Sequence, residues 1–139
     1  MRPAARDTPS PHSSVTKRFR LKLRTILLVD ERDECRLTAK WFLGNFGFVV
    51  ESARSAEEAL AVFDSRIHDL VITDNAIPGM SGLEMAHVIK LRSANTPILM
   101  CASRVPEDTS CIDLALERPV HLLQLKDAAE QLIAQRIPA

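Results

Sequence analysis

The stretch Ile26-Leu-Leu-Val-Asp-Glu-Arg-Asp-Glu-Cys-Arg36 decides the fold, because four consecutive apolar residues run directly into acidic ones. A continuous apolar run, rather than an alternating one, is typical of a strand that is covered on both faces of a parallel sheet. Residues 69–73 and 98–101 fit the same scheme, and residues 48–50 and about 113–116 are predicted as two further strands. Amphipathic stretches separate these runs, so the sequence predicts an α/β fold with a parallel sheet.

The stretches between the runs carry helix signals. Apolar side chains recur at helical spacing across residues 35–46, and Gly47 is well placed to end that helix in a left-handed conformation. Ser55 and Ser81 are each followed three residues later by a glutamate, which predicts capping boxes at the starts of two more helices. Residues 122–133 carry the pattern of a last amphipathic helix.

The connection between the fourth and fifth runs is short. Roughly ten residues, including Pro106, separate them, whereas a parallel crossover usually needs at least about ten to twelve. We therefore expect the fourth crossover helix to be short or missing.

Composition indicates one globular domain. The 139 residues include 18 Lys or Arg, 18 Asp or Glu and 46% hydrophobic residues, which excludes a wholly disordered chain, a collagen-like fibre and a disulfide scaffold. The apolar runs are far shorter than the roughly 20 residues that span a bilayer. The three cysteines lack the spacing of a zinc site, so we interpret them as core residues.

The zero net charge hides an asymmetry between the N-terminal segment and the rest. Residues 1–24 hold seven basic side chains and one acidic one, a net charge of +6, so the remaining 115 residues carry −6. We expect residues 1–23 to be a flexible basic tail and residues 24–139 to be the folded domain. An acidic body repels nucleic acid, and we expect the folded domain to bind neither nucleic acid nor membrane.

Acidic residues follow two of the predicted strands. Asp30 and Glu31 come directly after the first run, and Asp74 follows the third. Because open parallel sheets bind ligands at the carboxyl ends of their strands, these three carboxylates should converge at one edge. A hard divalent cation such as Mg²⁺ would relieve their repulsion. The alternative is that the acids only form turns and cap helices.

The residues around these acids resemble the receiver domain of two-component response regulators. Besides the first stretch, the resemblance rests on Asp69-Leu-Val-Ile-Thr-Asp-Asn-Ala-Ile-Pro-Gly-Met-Ser-Gly-Leu-Glu84. Asp74 is followed at four, six and eight residues by Pro78, Met80 and Gly82, the offsets that follow the family's phosphoacceptor aspartate. The resemblance covers about 115 residues, everything after the tail. It implies a flavodoxin-like, doubly wound sheet of five parallel strands in the order 2-1-3-4-5.

The resemblance implies a role for each acid. Asp74 would be the phosphoacceptor, attacking the phosphorus of a phosphohistidine on a sensor histidine kinase or a phosphotransfer protein. Glu31, Asp74 and the backbone carbonyl of Ala76 would be Mg²⁺ ligands, with Asp30 holding a metal-bound water. Glu31 departs from the family, whose second acid is normally the shorter Asp.

Three further family positions are altered. The segment Pro97-Ile-Leu-Met-Cys-Ala-Ser103 resembles the fourth strand, and Ala102 stands where the family has a phosphoryl-binding Thr or Ser, so we expect that position to be non-functional. The hydroxyl of Ser103 points to the other face unless the backbone bulges. Arg118 replaces the family's Lys and keeps its charge. The family's switch aromatic falls on Ala115, which has no ring to rotate.

These features favour a stand-alone, cytoplasmic receiver that signals by protein–protein contacts. It would not be an enzyme, apart from self-phosphorylation from a donor and slow self-dephosphorylation. The alternative is a pseudo-receiver that binds partners without phosphate, which the changes at Ala102, Ala115 and the fourth crossover favour. A metal-dependent phosphatase is disfavoured, because such enzymes usually place a second Asp two residues after the nucleophile, where this chain has Ala76.

Overall fold

Strands and helices alternate in residues 23–136, the part of the chain that the computed structural model describes, except that the fourth and fifth strands follow one another without a helix between them. The strands are β1 (Arg24–Val29), β2 (Phe48–Ala53), β3 (Leu70–Thr73), β4 (Ile98–Ala102) and β5 (Leu114–Glu117). The helices are α1 (Asp33–Gly44), α2 (Ala56–Val62), α3 (Gly82–Arg92) and α4 (Leu122–Gln135). The predicted basic tail at residues 1–23 lies, apart from Leu23, outside the described residues.

The strands form a single parallel sheet in the order β2-β1-β3-β4-β5. This confirms the predicted order 2-1-3-4-5 and the flavodoxin-like fold. Val29 of β1 pairs with Thr73 of β3, so the residues that follow them, Asp30 and Asp74, leave the sheet side by side. From β1 the chain adds β2 on one side of the sheet and then β3 on the other, so the strand order reverses between β1 and β3. Open α/β sheets bind ligands at such a point.

The core lies on both faces of the sheet, because successive strand side chains point to opposite faces. Ile26 and Leu28 of β1 pack on the side of α1 and α4, while Leu27 and Val29 pack on the side of α2 and α3. These four side chains are buried, as their continuous apolar run predicts.

Side-chain caps fix the starts of α2 and α3. The Ser81 hydroxyl accepts the Glu84 amide and the Glu84 carboxylate accepts the Ser81 amide, which confirms the predicted capping box of α3. The capping box predicted for α2 is half wrong. Ser55 accepts the Glu58 amide, but the Glu58 carboxylate accepts the amide of Arg54 instead of that of Ser55.

The turn after α1 also differs from the prediction. The helix ends at Gly44 with Asn45 as its cap, so Gly47 does not cap it directly. Gly47 does take the left-handed conformation, with φ +89°, in the turn that leads into β2.

The fourth crossover contains no helix in the described residues: residues 103–113 are bends and turns. This confirms the expectation of a short or missing helix. Asp113 anchors the end of the crossover, because its carboxylate accepts the Ile98 amide at 2.7 Å and pairs with Lys90 at 2.8 Å. Within residues 23–136, none of the helices has the length and apolar character needed to cross a membrane.

Candidate functional site

Asp30 and Asp74 are buried at the carboxyl edge of the sheet, with 5% and 8% of their surfaces exposed. The Asp30 amide bonds the Ala53 carbonyl of β2, and the Asp74 amide bonds the Val29 carbonyl of β1. Sheet-type hydrogen bonds therefore extend past the strand ends and hold both acids at the centre of the edge.

Gly82 lets α3 begin directly against the backbone of Asp74. A Cβ on Gly82 would fall well inside van der Waals contact with the Asp74 carbonyl oxygen, and it would lie 3.0 Å from the Asn75 Cα. The Gly82 amide and the Leu83 amide both bond Asn75, through its carbonyl and its side-chain oxygen. The loop after β3 is therefore fixed by the first turn of α3.

Two arginines neutralise the two aspartates. The Arg32 guanidinium contacts Asp30 at 3.2 Å and Asp74 Oδ2 at 3.0 Å, and its backbone amide also donates to Asp30. Arg118 contacts Asp30 Oδ2 and Asp74 Oδ2, both at 3.3 Å, and donates to the Cys101 carbonyl. We call these four residues the Asp–Arg cluster. Hydrogen bonding to Asp30 raises the pKa of Arg32 above its usual value.

Three of the four predicted metal-site residues, Glu31, Asp74 and Ala76, line one cleft, and Asp30 does not. The cleft has a volume of about 460 Å³, and we call it the edge cleft; its lining includes Glu31, Arg32, Asp74, Ala76, Ala102 and Ser103. Two carboxylates and a main-chain carbonyl are the oxygen donors that suit Mg²⁺, so the donor chemistry fits the ion. However, Glu31 is exposed, and in the described part of the chain no three acidic, His or Cys side chains are gathered closely enough to hold a metal.

The altered family positions lie where the sequence predicts them. Ala102 is buried at the end of β4 and lines the edge cleft, as does the exposed Ser103 that follows it. Ala115 is half-buried in β5 and pairs with Met100 of β4. The cleft is therefore lined at the end of β4 by an alanine without a hydroxyl, followed by an exposed serine.

A second cavity, of about 280 Å³, lies on the other side of Asp74, between the sheet, α1 and α4. It is mostly apolar, and its lining includes Asp30, Asp74, Arg118 and Cys101. Burial raises the pKa of the Cys101 thiol to about 11, so this cysteine is a neutral core residue.

Sequence reasoning missed Arg32. The side chain belongs to the N-cap residue of α1, two positions after Asp30, and folds back over the strand ends. The available signal was a basic residue directly after the acidic pair Asp30-Glu31, in a position where it can neutralise them.

Comparisons with known proteins identify a family. Residues 26–136 match the family model of the response regulator receiver domain. The two-component response regulator PhoP of Pseudomonas aeruginosa is 34% identical over 79 residues, which cover 57% of this chain and 35% of PhoP. The response regulator PilR of the same organism is 29% identical over 118 residues, covering 81% of this chain and 26% of PilR. The chain thus spans about a quarter to a third of these relatives.

Solved structures agree with the sequence comparisons. The response regulator TrrA of Thermotoga maritima, in complex with Mg²⁺-BeF, is similar with a TM-score of 0.73 and 29% identity, over 79% of this chain and 99% of that one. The non-phosphorylated HemR receiver domain of Leptospira biflexa gives a TM-score of 0.76 at 23% identity, over 84% of this chain and 98% of that one, and supports the fold alone.

Proposed function

Because the chain belongs to the family of response regulator receiver domains, we propose that it accepts a phosphoryl group on Asp74 and signals through contacts with partner proteins. Receiver domains are signalling modules that interact with histidine kinases and phosphotransfer proteins. The observation that carries the proposal is the position of Asp74, which is buried at the carboxyl end of β3 and opens into the edge cleft.

The proposed chemistry is a transfer from phosphohistidine. A carboxylate oxygen of Asp74 attacks the phosphorus, the phosphorus–nitrogen bond breaks, and the histidine nitrogen leaves with its electron pair. The Ala76 amide donates to Asp74 Oδ1 at 3.1 Å and orients the carboxylate, while Oδ2 faces the guanidinium of Arg118. Arg118 would offset the negative charge that gathers on the phosphoryl oxygens.

The proposal includes a Mg²⁺ ion, which Glu31, Asp74 and the Ala76 carbonyl would hold, with Asp30 contributing through a water molecule. When bound, Mg²⁺ supplies positive charge that stabilises phosphoryl transfer. The support for this assignment is the shared lining of the edge cleft and the Mg²⁺-BeF complex of TrrA. The proposal also includes self-phosphorylation from a donor, slow self-dephosphorylation and a cytoplasmic location.

A second candidate function is a protein-binding module that works without phosphate. The Asp–Arg cluster favours it, because each aspartate already has two guanidinium partners in the unphosphorylated protein. Ala102 and Ala115 also lack the hydroxyl and the ring that the family uses to transmit the signal.

Labelling decides between the two functions. The purified chain is incubated with acetyl phosphate and Mg²⁺, and the modified residue is located by mass spectrometry. We expect a gain of one phosphoryl group on Asp74 that disappears in Asp74→Asn and persists in Asp127→Asn, a control at an exposed acid on α4. A wild type that never gains the group, or labelling that survives Asp74→Asn, would mean that Asp74 is not the phosphoacceptor.

A further inference from the structure

Arg32 occupies the carboxylates that the proposed cation needs. Its guanidinium bridges Asp30 and Asp74, with a contact of 3.0 Å to Asp74 Oδ2, and its side chain lines the edge cleft together with Glu31 and Ala76. A guanidinium and a divalent cation both bind carboxylate oxygens through positive charge. They therefore compete for the same carboxylates.

Charge balance strengthens this competition. Asp30 and Asp74 are buried and carry two negative charges, and Arg32 and Arg118 bring two positive ones to them. A cation that enters this neutral cluster gains less from the aspartates and is repelled by both arginines. With Arg32 removed, the cluster carries a net negative charge, and Glu31 at the rim of the cleft adds to it.

The side chains of the two arginines are not equally free to move away from the aspartates. Arg118 is also bonded to the Cys101 carbonyl of β4, and its side chain is only 23% exposed. The Arg32 side chain is 46% exposed, and within residues 23–136 its guanidinium bonds only the two aspartates. Turning Arg32 outward exposes it to water and breaks no other contact of its guanidinium, so it is the movable partner.

We propose that Arg32 is a built-in counter-ion that competes with Mg²⁺ for Asp30 and Asp74, and that it sets how tightly this chain binds a divalent cation. This inference rests on the metal site of the proposed function. Mg²⁺ binding then requires the Arg32 side chain to swing out of the edge cleft, and the unphosphorylated chain binds the ion weakly while Arg32 stays in place.

The test measures the affinity of the unphosphorylated full chain for Mg²⁺ by isothermal titration calorimetry. We expect Arg32→Gln to bind Mg²⁺ at least about tenfold more tightly than the wild type, since it removes one competing charge in direct contact with the ligands. Arg54→Gln is the matched control, because it makes the same change of charge at an exposed arginine that pairs only distantly with Asp33. It should leave the affinity close to that of the wild type.

The outcomes separate this inference from the proposed function. Equal affinities for Arg32→Gln and Arg54→Gln, or weaker binding by Arg32→Gln, would overturn the competition while leaving the metal site in place. Absence of Mg²⁺ binding in every variant would overturn both the metal site and the competition. Labelling of Asp74 by acetyl phosphate tests the phosphoacceptor role independently of this result. If circular dichroism shows that Arg32→Gln is unfolded, Arg32→Met gives the same decision. It also removes the positive charge and keeps an unbranched side chain, so tighter Mg²⁺ binding is again expected.

Discussion

The two halves of the carboxyl edge are built differently. The acceptor half, at the ends of β1 and β3, holds the buried Asp30 and Asp74 and begins α3 with a complete capping box. The relay half, residues 102–115, begins with Ala102, continues as a loop without a helix and ends at Ala115. Under the proposed function, receiving a phosphoryl group and transmitting its arrival would depend on different residues, and the acids of the first step are present whereas the hydroxyl and the ring of the second are not.

The strands of the two halves also differ in burial. All four residues of β3 are buried, whereas β5, at the edge of the sheet, has no fully buried residue among its four. Densely packed interiors resist small changes in volume, and exposed loops tolerate them. The acceptor half should accordingly be the more sensitive of the two to substitution.

The largest effect is expected from Gly82→Ala, which would test the rigidity of the acceptor half. The added Cβ would collide with the backbone of Asp74 and Asn75, and backbone moves less readily than a side-chain end. We expect a loss of about 2–4 kcal/mol in the free energy of unfolding, measured with urea, and slower labelling of Asp74.

Two controls accompany this substitution. Gly44→Ala, near the end of α1, adds a Cβ that meets nothing within 4 Å and should stabilise the chain by about 0.5–1 kcal/mol. Ser103→Ala, in the exposed part of the relay half, should change the free energy by less than about 0.5 kcal/mol. Equal losses for Gly82→Ala and Ser103→Ala would remove the contrast between the halves.

A smaller effect is expected from Mg²⁺ on thermal unfolding. A cation that binds only the native state stabilises it by about 1.4 kcal/mol at ten times its dissociation constant, or about 3–6 °C for a chain of this size. Glu31→Gln and Asp74→Asn should lose most of this gain, whereas Asp108→Asn, in the exposed loop of the relay half, should keep it. If the melting temperature of the wild type does not change with Mg²⁺ concentration, the acids only form turns and helix caps.

The fold could be predicted because its causes are local in the sequence. The continuous apolar runs of β1, β3 and β4 are buried strands, and the register of Val29 against Thr73 places the two aspartates together as the parallel arrangement requires. The short connection around Pro106 predicts a short or missing helix, and the structure contains none there.

Parts of the site could not be predicted, because they depend on which way a long side chain folds. Nothing in the spacing of Arg32 says whether it points to solvent or back over Asp74; the register of β1 and β3 creates the charge that draws it in. Glu58 likewise bonds the amide of Arg54 instead of that of Ser55, a choice between two donors one residue apart. Both outcomes follow from atomic positions that a residue pattern leaves open.

The smallest effect is expected in the relay half itself. With Mg²⁺ and beryllofluoride bound at Asp74 as a mimic of the phosphoryl group, we expect little change in amide exchange or chemical shifts from Arg104 to Leu116. Changes should be confined to residues 75–82 and Arg118, which lie next to the acid. A ligand shifts a conformational equilibrium only through contacts that differ between the two states, and neither Ala102 nor Ala115 can make the usual ones.

The variant Ala102→Thr sharpens this last prediction. It restores a hydroxyl at the end of β4, next to the edge cleft, but Ala115 still has no ring and the fourth crossover still has no helix to move. The hydroxyl alone should therefore leave residues 104–116 unresponsive to the mimic. Large shifts across that segment in the wild type would show that the chain has another relay. Such a relay could start from Arg118, which contacts Asp74 and joins it to β4 through the Cys101 carbonyl.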